Sequence, residues 1–302
     1  MLNKEKPVEV VINKEKCKKC GRCIDVCGNY LKKDSEGFPC AKEKNETLLG
    51  CIQCGNCMMT CDNDAIDVVG QDVDKEHLRP LNNNIASFEQ FDNLLLKRRS
   101  IRKYKDEAVS QDVINKIITT ASKAPVSIPP SEVKVLVING KEKVQCLADD
   151  IVDVTEKTLK ALNSPLAKVA GSALNIIKPY MYKTLNDFMI PMCKDIIAKR
   201  KDGEDILFYN SPAIIIFYGT PLASDADILI AATYANLAAE AMGLGTCFNG
   251  SVAEIFERDL KLKHKYGIFR EEHVGIAFTL GYPDVTYTKS IQRDFKEVRI
   301  EE

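Results

Sequence analysis

"CKKCGRCIDVC" (Cys17–Cys27) and "CIQCGNCMMTC" (Cys51–Cys61) set two runs of four cysteines in one chain with the same internal spacing, x2, x2, x3. Each cysteine of the second run follows its counterpart by 34 residues (51 − 17). Nine of the twelve cysteines precede residue 62; only Cys146, Cys193 and Cys247 lie beyond it. The 302 residues therefore divide into a short cysteine-rich part and a long part with almost none, a length suited to one small and one medium domain.

Composition narrows the class. Hydrophobic residues make up 45% and charged residues 28%, as in a packed protein with a polar surface. A formal net charge of −1 offers no basic excess for nucleic acid, and no apolar run reaches the length of a membrane span. The start, "MLNKEKPVEVVINKEK", lacks the apolar core of a secretory signal, so a cytoplasmic location is expected. In a reducing compartment clustered cysteines point to metal rather than to disulfides, and four in one run differ from the two separated pairs of most zinc sites.

The spacing of both runs resembles the bacterial two-cluster ferredoxins. Three thiolates two residues apart wrap one face of a cubane, and the fourth, on the next helical turn, points away. The resemblance implies that one [4Fe-4S] cluster takes Cys17, Cys20, Cys23 and Cys61, and the other Cys51, Cys54, Cys57 and Cys27. Gly21 and Gly55 fill the same slot in each loop, where the lack of a Cβ lets backbone N–H groups approach sulfur. "VEVVIN" (Val8–Asn13) and "AIDVVG" (Ala65–Gly70) read as short flanking strands. Gly28 and Asp62 stand where the family usually has proline after the fourth cysteine. Cys40 belongs to neither set and reads as a buried structural thiol.

After a polar stretch, Gln71–Ala86, "SFEQFDNLLLKRR" carries Phe88, Phe91, Leu94 and Leu95 at helical spacing behind Ser87 as N-cap. A second helix follows Ser110, with Val113, Ile114, Ile117, Ile118 and Ala121 on one face. "EVKVLVI" (Glu132–Ile138), "AIIIFYG" (Ala213–Gly219) and "HVGIAFTLG" (His273–Gly281) read as strands, the middle one apolar enough to be covered on both faces. Ala226–Met242 reads as a helix apolar nearly all round and closed by Gly243, hence buried in a core or in a subunit interface. Residues 144–205 read as a mainly helical insertion.

"KRRSIRKY" (Lys97–Tyr104) sets three arginines and a serine at a helix end, a set able to grip phosphate. Here the second part resembles the FMN-dependent nitroreductase family. The likeness runs in order through "RRSIR", the "AP" loop of "KAPVSIPPSEVKVLVI", "SPAIIIF", "ANLAAEAMGLGTCFNG" and "LGYPD", across residues 86–296. It implies that Arg98, Arg99, Ser100 and Arg102 bind the FMN phosphate and ribityl chain. Lys289 or Arg293 would meet that phosphate from the far end of the chain. The loop with Pro125, Ser127 and Ile128 would lie along the isoalloxazine, and the loop with Gly245, Thr246, Phe248 and Gly250 would approach its reactive edge. Pro129, Pro130 and Ser131 replace the Asn-x-Gln-Pro-Trp arrangement common in the family, so backbone groups would serve the pyrimidine edge.

The expectation is an α+β chain: a two-[4Fe-4S] ferredoxin domain over 1–75, a linker over 76–86 and a nitroreductase-like layered domain over 87–302. Clusters would relay single electrons to FMN, which reduces a small organic acceptor, nitroaromatic or quinone-like, in a homodimer of interwound chains. A dehalogenase or enoate reductase with a dedicated substrate, and a non-enzymatic electron carrier, are the alternatives. Electrons would come from a donor protein or NAD(P)H; no Gly-x-Gly-x-x-Gly follows a strand. None of His77, His264 and His273 falls in the flavin motifs, and Cys247 reads as a small buried residue.

Overall fold

The computed structural model describes residues 8–43, 45–47, 50–70, 78–127, 131–162, 164–165, 174 and 176–301. They form two compact units, Met1–Ile85 with Val126–Glu132, and Ala86–Pro125 with Val133–Glu302. Residues 71–77 of the polar stretch 71–86, His77 among them, lie outside the described residues.

In the first unit, β1 (Glu9–Ile12) pairs antiparallel with β4 (Ile66–Val69), Glu9 opposite Val69 and Ile12 opposite Ile66. A second ladder, β2 (Leu31–Lys33) with β3 (Pro39–Ala41), turns at Asp34. The Asp34 carboxylate accepts the N–H groups of Glu36 and Phe38 at 2.9 and 2.8 Å, an Asx-type turn. Each cysteine run ends in a single helical turn, α1 (Arg22–Asp25) and α2 (Asn56–Met59). The duplication extends to the backbone. Lys19 and Gln53 adopt left-handed φ of 55° and 61°, and Gly21 and Gly55 follow at 83° and 72°. Ile24 N donates to Gly21 O at 2.8 Å and Met58 N to Gly55 O at 2.9 Å; Cys27 N to Ile24 O and Cys61 N to Met58 O are both 3.1 Å. Leu31, Cys57, Met58, Ile66 and Val68 form a small core.

The second unit is built on a four-stranded antiparallel sheet in the order β5–β6–β8–β7: β5 (Val133–Asn139), β6 (Ala213–Gly219), β7 (Gly245–Asn249) and β8 (His273–Gly281). The alternation along β6 decides the layering. Ile214 and Ile216 pack into one core with Val144, Leu147, Ile151, Val252 and Phe256, while Ala213, Ile215 and Phe217 pack into another with Ile114, Ile117, Ile228 and Ala232. A strand covered on both faces must be apolar throughout, as β6 is.

The helices start where side chains can take up free N–H groups. Ser87 caps α3 (Phe88–Lys97) in a reciprocal box with Gln90, and Ser110 caps α4 (Gln111–Ala121). Residues 141–162 form α5 (Lys141–Leu162). It is followed by α6 (Pro179–Thr184), a π-helical turn (Leu185–Met189) and α7 (Ile190–Lys201). Residues 144–205 are thus mainly helical, yet the first half of α5 is no appendage: Val144, Leu147, Ala148 and Ile151 are fully buried under the sheet. Ser224 and Asp227 box the start of α8 (Asp225–Ala241), which buries one face through Ile228, Ala232, Ala235 and Ala239 and exposes Leu229 and Tyr234 on the other. α9 (Gly250–Arg258) and α10 (Leu260–Lys265) lead into β8. No helix among the described residues is long and apolar enough to cross a membrane.

Candidate functional sites

In the first unit the eight cysteines gather as two fours. Cys17, Cys20, Cys23 and Cys61 line one cavity, with Lys18, Lys19, Arg22 and Pro39 around them. Cys27, Cys51 and Cys54 are electrostatic neighbours of Cys57, and Cys27 and Cys54 are neighbours of Cys51. The last thiol of each run thus meets the first three of the other, because α1 and α2 carry Cys27 and Cys61 across between the duplicated loops. In each loop a left-handed residue, Lys19 or Gln53, is followed two positions later by a left-handed glycine.

The two groups differ in setting. Cys57 is buried, and desolvation, reinforced by neighbouring thiols, pushes its pKa up to about 12; burial also raises Cys51 and Cys23. Cys20 is exposed and is lowered instead, by hydrogen bonds from the backbone and then the side chain of Arg22. Among the described residues no three His, Cys, Asp or Glu side chains converge closely enough for a single metal ion. A cubane spreads its four thiolate ligands around four irons and four sulfides, so its ligands stand farther apart than those of one ion. All-thiolate donor sets of four fit an iron–sulfur cluster. Cys40 lies in β3, half-buried and outside both fours.

In the second unit the strap after α3 is the hub. Ile101 N donates to Thr246 O at 2.8 Å, Ser100 bridges to Thr246 in parallel, and Tyr104 bridges to Pro283. Lys105 N donates to Tyr282 O and Asp284 N to Lys103 O, both at 2.9 Å. The Tyr104 hydroxyl donates to Ile101 O at 2.8 Å and lies 2.6 Å from Thr279 Oγ1; burial pushes this phenol up. Three segments distant in sequence are thereby sewn together: 98–105, 245–246 and 279–284.

The expected flavin residues sort as follows. Arg98 is the C-cap of α3, and the Arg99 guanidinium donates to Ser290 Oγ, which itself donates to Leu96 O at 2.9 Å. Arg102 donates from Nε to the Tyr209 hydroxyl at 3.3 Å and lies 5.8 Å from that ring's centre. Among the described residues no carboxylate pairs with Arg98, Arg99 or Arg102. A guanidinium without a carboxylate partner is able to take a phosphate oxygen by charge-assisted hydrogen bonds. Gly245, Thr246 and Phe248 lie in β7, not in a loop: Gly245 pairs with Gly281 and Phe248 with Phe278. A glycine obscures this strand in the sequence. It is needed because a Cβ on Gly245 would stand 2.5 Å from Ile101 Cγ1. Gly250 is the first residue of α9.

Lys289 lines a cavity of about 490 Å³ with Lys97, Ile101, Glu240, Gly245 and Ser290, whereas Arg98, Ser100 and Arg102 do not line it. Arg293 is exposed in the extended C-terminal stretch. Pro125 ends one segment of the second unit, Ser127 falls in Val126–Glu132 of the first, and Ile128 lies outside the described residues with Pro129 and Pro130.

Sequence reasoning missed Tyr209. It and Asn210 adopt φ of 57° and 53°, two successive left-handed residues without glycine. The buried Asp205 carboxylate holds that turn, accepting the N–H groups of Leu207, Phe208 and Asn210 at 2.8–3.1 Å and the Gln145 amide at 2.8 Å. Asn249 Nδ2 closes it by donating to Leu207 O at 3.0 Å. The only trace in the sequence is an aspartate ahead of "FYNSP".

Residues 95–282 match the nitroreductase family. Solved structures with a similar fold include an FMN-bound nitroreductase from Bacteroides fragilis, 16% identical, TM-score 0.49, covering 69% of this chain and 97% of that one. An FMN-bound nitroreductase from Desulfitobacterium hafniense is 19% identical, TM-score 0.49, with the same coverage. An iodotyrosine deiodinase bound to FMN and 3-iodo-L-tyrosine is 16% identical, TM-score 0.45, covering 70% and 98%. No curated protein matches the chain.

Proposed function

This chain belongs to the nitroreductase family, and from that membership we propose an FMN-dependent oxidoreductase served by two [4Fe-4S] clusters and acting on a small organic acceptor. Oxidoreductase is its enzymatic class. The observation that carries the finer reading is the grouping of eight cysteines into two fours, each closed by the last thiol of the other run, in one chain with the nitroreductase fold.

Arg98, Ser100 and Arg102 would hold the FMN phosphate. The strap's ladder to Thr246 fixes their backbone, and Tyr209 fixes the Arg102 fork. Lys289 or Arg293 would add positive charge from the C-terminal stretch. Bound FMN would supply a centre able to take electrons singly and pass them on in pairs. Cys17, Cys20, Cys23 and Cys61, with Cys27, Cys51, Cys54 and Cys57, would hold clusters that supply one-electron relay. A nitroaromatic or quinone-like acceptor, and a donor protein or NAD(P)H, complete the reading.

We also assign the working form as a homodimer. α3 buries no residue, with Phe88 82% exposed, and α8 leaves Leu229 and Tyr234 uncovered. The stretch after Asp284 runs without helix or strand and exposes Tyr287, Ile291, Phe295, Val298 and Ile300. Apolar surface of this extent on one unit fits a second copy of the chain.

The test is anaerobic purification followed by iron, sulfide and acid-released flavin per chain. About eight irons and one FMN are expected. Eight irons without flavin would sink the flavin assignment, and zinc in place of iron and sulfide would sink the clusters.

A further inference from the structure

The two cysteine loops are internal controls for each other. Their backbones repeat, but their charges do not: Lys18, Lys19 and Arg22 of the first loop become Ile52, Gln53 and Asn56 of the second. All three cations line the cavity that Cys17, Cys20, Cys23 and Cys61 share. Arg22 reaches Cys20 from both its backbone N–H and its guanidinium, and Asp62 grips that guanidinium at 2.5 Å. Asp62 stands where the ferredoxin pattern has proline, and its counterpart in the other half is Gly28. Lys33 leans over the same loop, its Nζ 3.9 Å from where a Gly21 Cβ would be; over the second loop that place is taken by the Met58 methyl, 3.8 Å from a Gly55 Cβ. Burial follows the same divide, with Cys20 exposed and Cys57 buried.

An added electron makes a cluster site more negative. Hydrogen bonds to the ligand sulfur, nearby cations and solvent favour that state, and a dry, uncharged setting opposes it. We propose that the two cluster sites have unequal reduction potentials, the one held by Cys17, Cys20, Cys23 and Cys61 being the higher, and that Arg22, oriented by Asp62, is the positioning residue that sets the difference. An electron shared between the sites then rests on the exposed one. The inference depends on both sites holding [4Fe-4S] clusters.

The experiment is a potentiometric titration of the full chain, purified anaerobically, read by electron paramagnetic resonance after its iron has been counted. Wild type should show two separated waves. Arg22→Asn, which copies Asn56, should lower the upper wave and leave the other in place, and Asn56→Arg should raise the lower wave. Should Arg22→Asn lose iron, Lys19→Gln, which copies Gln53 and replaces no ligand, is expected to move the upper wave in the same direction. A single shared potential in wild type, or variants with full iron that move neither wave, would overturn the inference while leaving the clusters standing. Wild type with far fewer than eight irons would remove the cluster reading itself, and this inference with it.

Discussion

Gly245→Ala tests the seam on which the flavin assignment depends. The added Cβ would lie 2.5, 2.8 and 2.9 Å from three atoms of Ile101, a side chain only 5% exposed. Either Ile101 leaves its pocket or the strap lifts off β7 and gives up the 2.8 Å bond from Ile101 N to Thr246 O. Overpacking of this kind costs about 1–3 kcal/mol, and a lost backbone hydrogen bond about 1 more. The sum, about 2–4 kcal/mol, corresponds to a fall of roughly 5–15 °C in the melting temperature of a unit this size. Because Ser100 and Arg102 ride on the same strap, FMN should also bind about tenfold or more weakly, read by quenching of flavin fluorescence. The control is Ile101→Ala, which removes two of the three clashing atoms. Alone it leaves a cavity and costs about 2–5 kcal/mol. Combined with Gly245→Ala, the double variant should be at least about 1 kcal/mol more stable than additivity allows. Wild-type melting and FMN affinity for Gly245→Ala, or strictly additive costs in the pair, would refute the steric account.

Other perturbations reach different parts of the second unit. Asp205→Ala removes the acceptor of three backbone N–H groups and one amide, so it should lower stability by about 2 kcal/mol or more in thermal melts, with Asp205→Asn less damaging. Among the described residues the buried Asn236 amide has no hydrogen-bond partner, and Asn236→Leu, which keeps the γ-branched shape, should raise the melting temperature by relieving about 1–3 kcal/mol. Unchanged or lower melting would point to an ordered water at that amide. Truncation after Asp284 should turn a dimer into a monomer on size-exclusion chromatography with light scattering; an unchanged mass would remove the C-terminal stretch from the interface.

Local signals were the legible ones. Ser87 and Ser110 sit as caps where a hydroxyl precedes an apolar period, and β6 and β8 run over the residues expected, because strands apolar on both faces leave little ambiguity. The helix expected over 226–242 runs from Asp225 to Ala241, with Gly243 left-handed just beyond. What stayed hidden depends on contacts far apart in sequence. β7 reads as a loop because its glycine serves Ile101, nearly 150 residues earlier, rather than a turn (245 − 101). The β2–β3 ladder is three residues long on each side, too short for a period. Tyr209 enters the site through a backbone conformation that Asp205 imposes, which no spacing encodes. The doubled cysteine runs, by contrast, were fully visible, and so was the charge difference between the two loops.

The exchange of Cys27 and Cys61 between the duplicated halves bears on how the first unit withstands air. Among the described residues its core centres on five buried side chains, so bound clusters would act as cross-links for a small unit. Oxidation would begin at the most accessible ligand, Cys20, in the first loop. Losing that cluster would free Cys61, and Cys61 closes the turn that also carries Cys57, which would serve the other cluster. Damage at one site would therefore propagate, and inactivation by oxygen should follow a single decay in which both clusters disappear together.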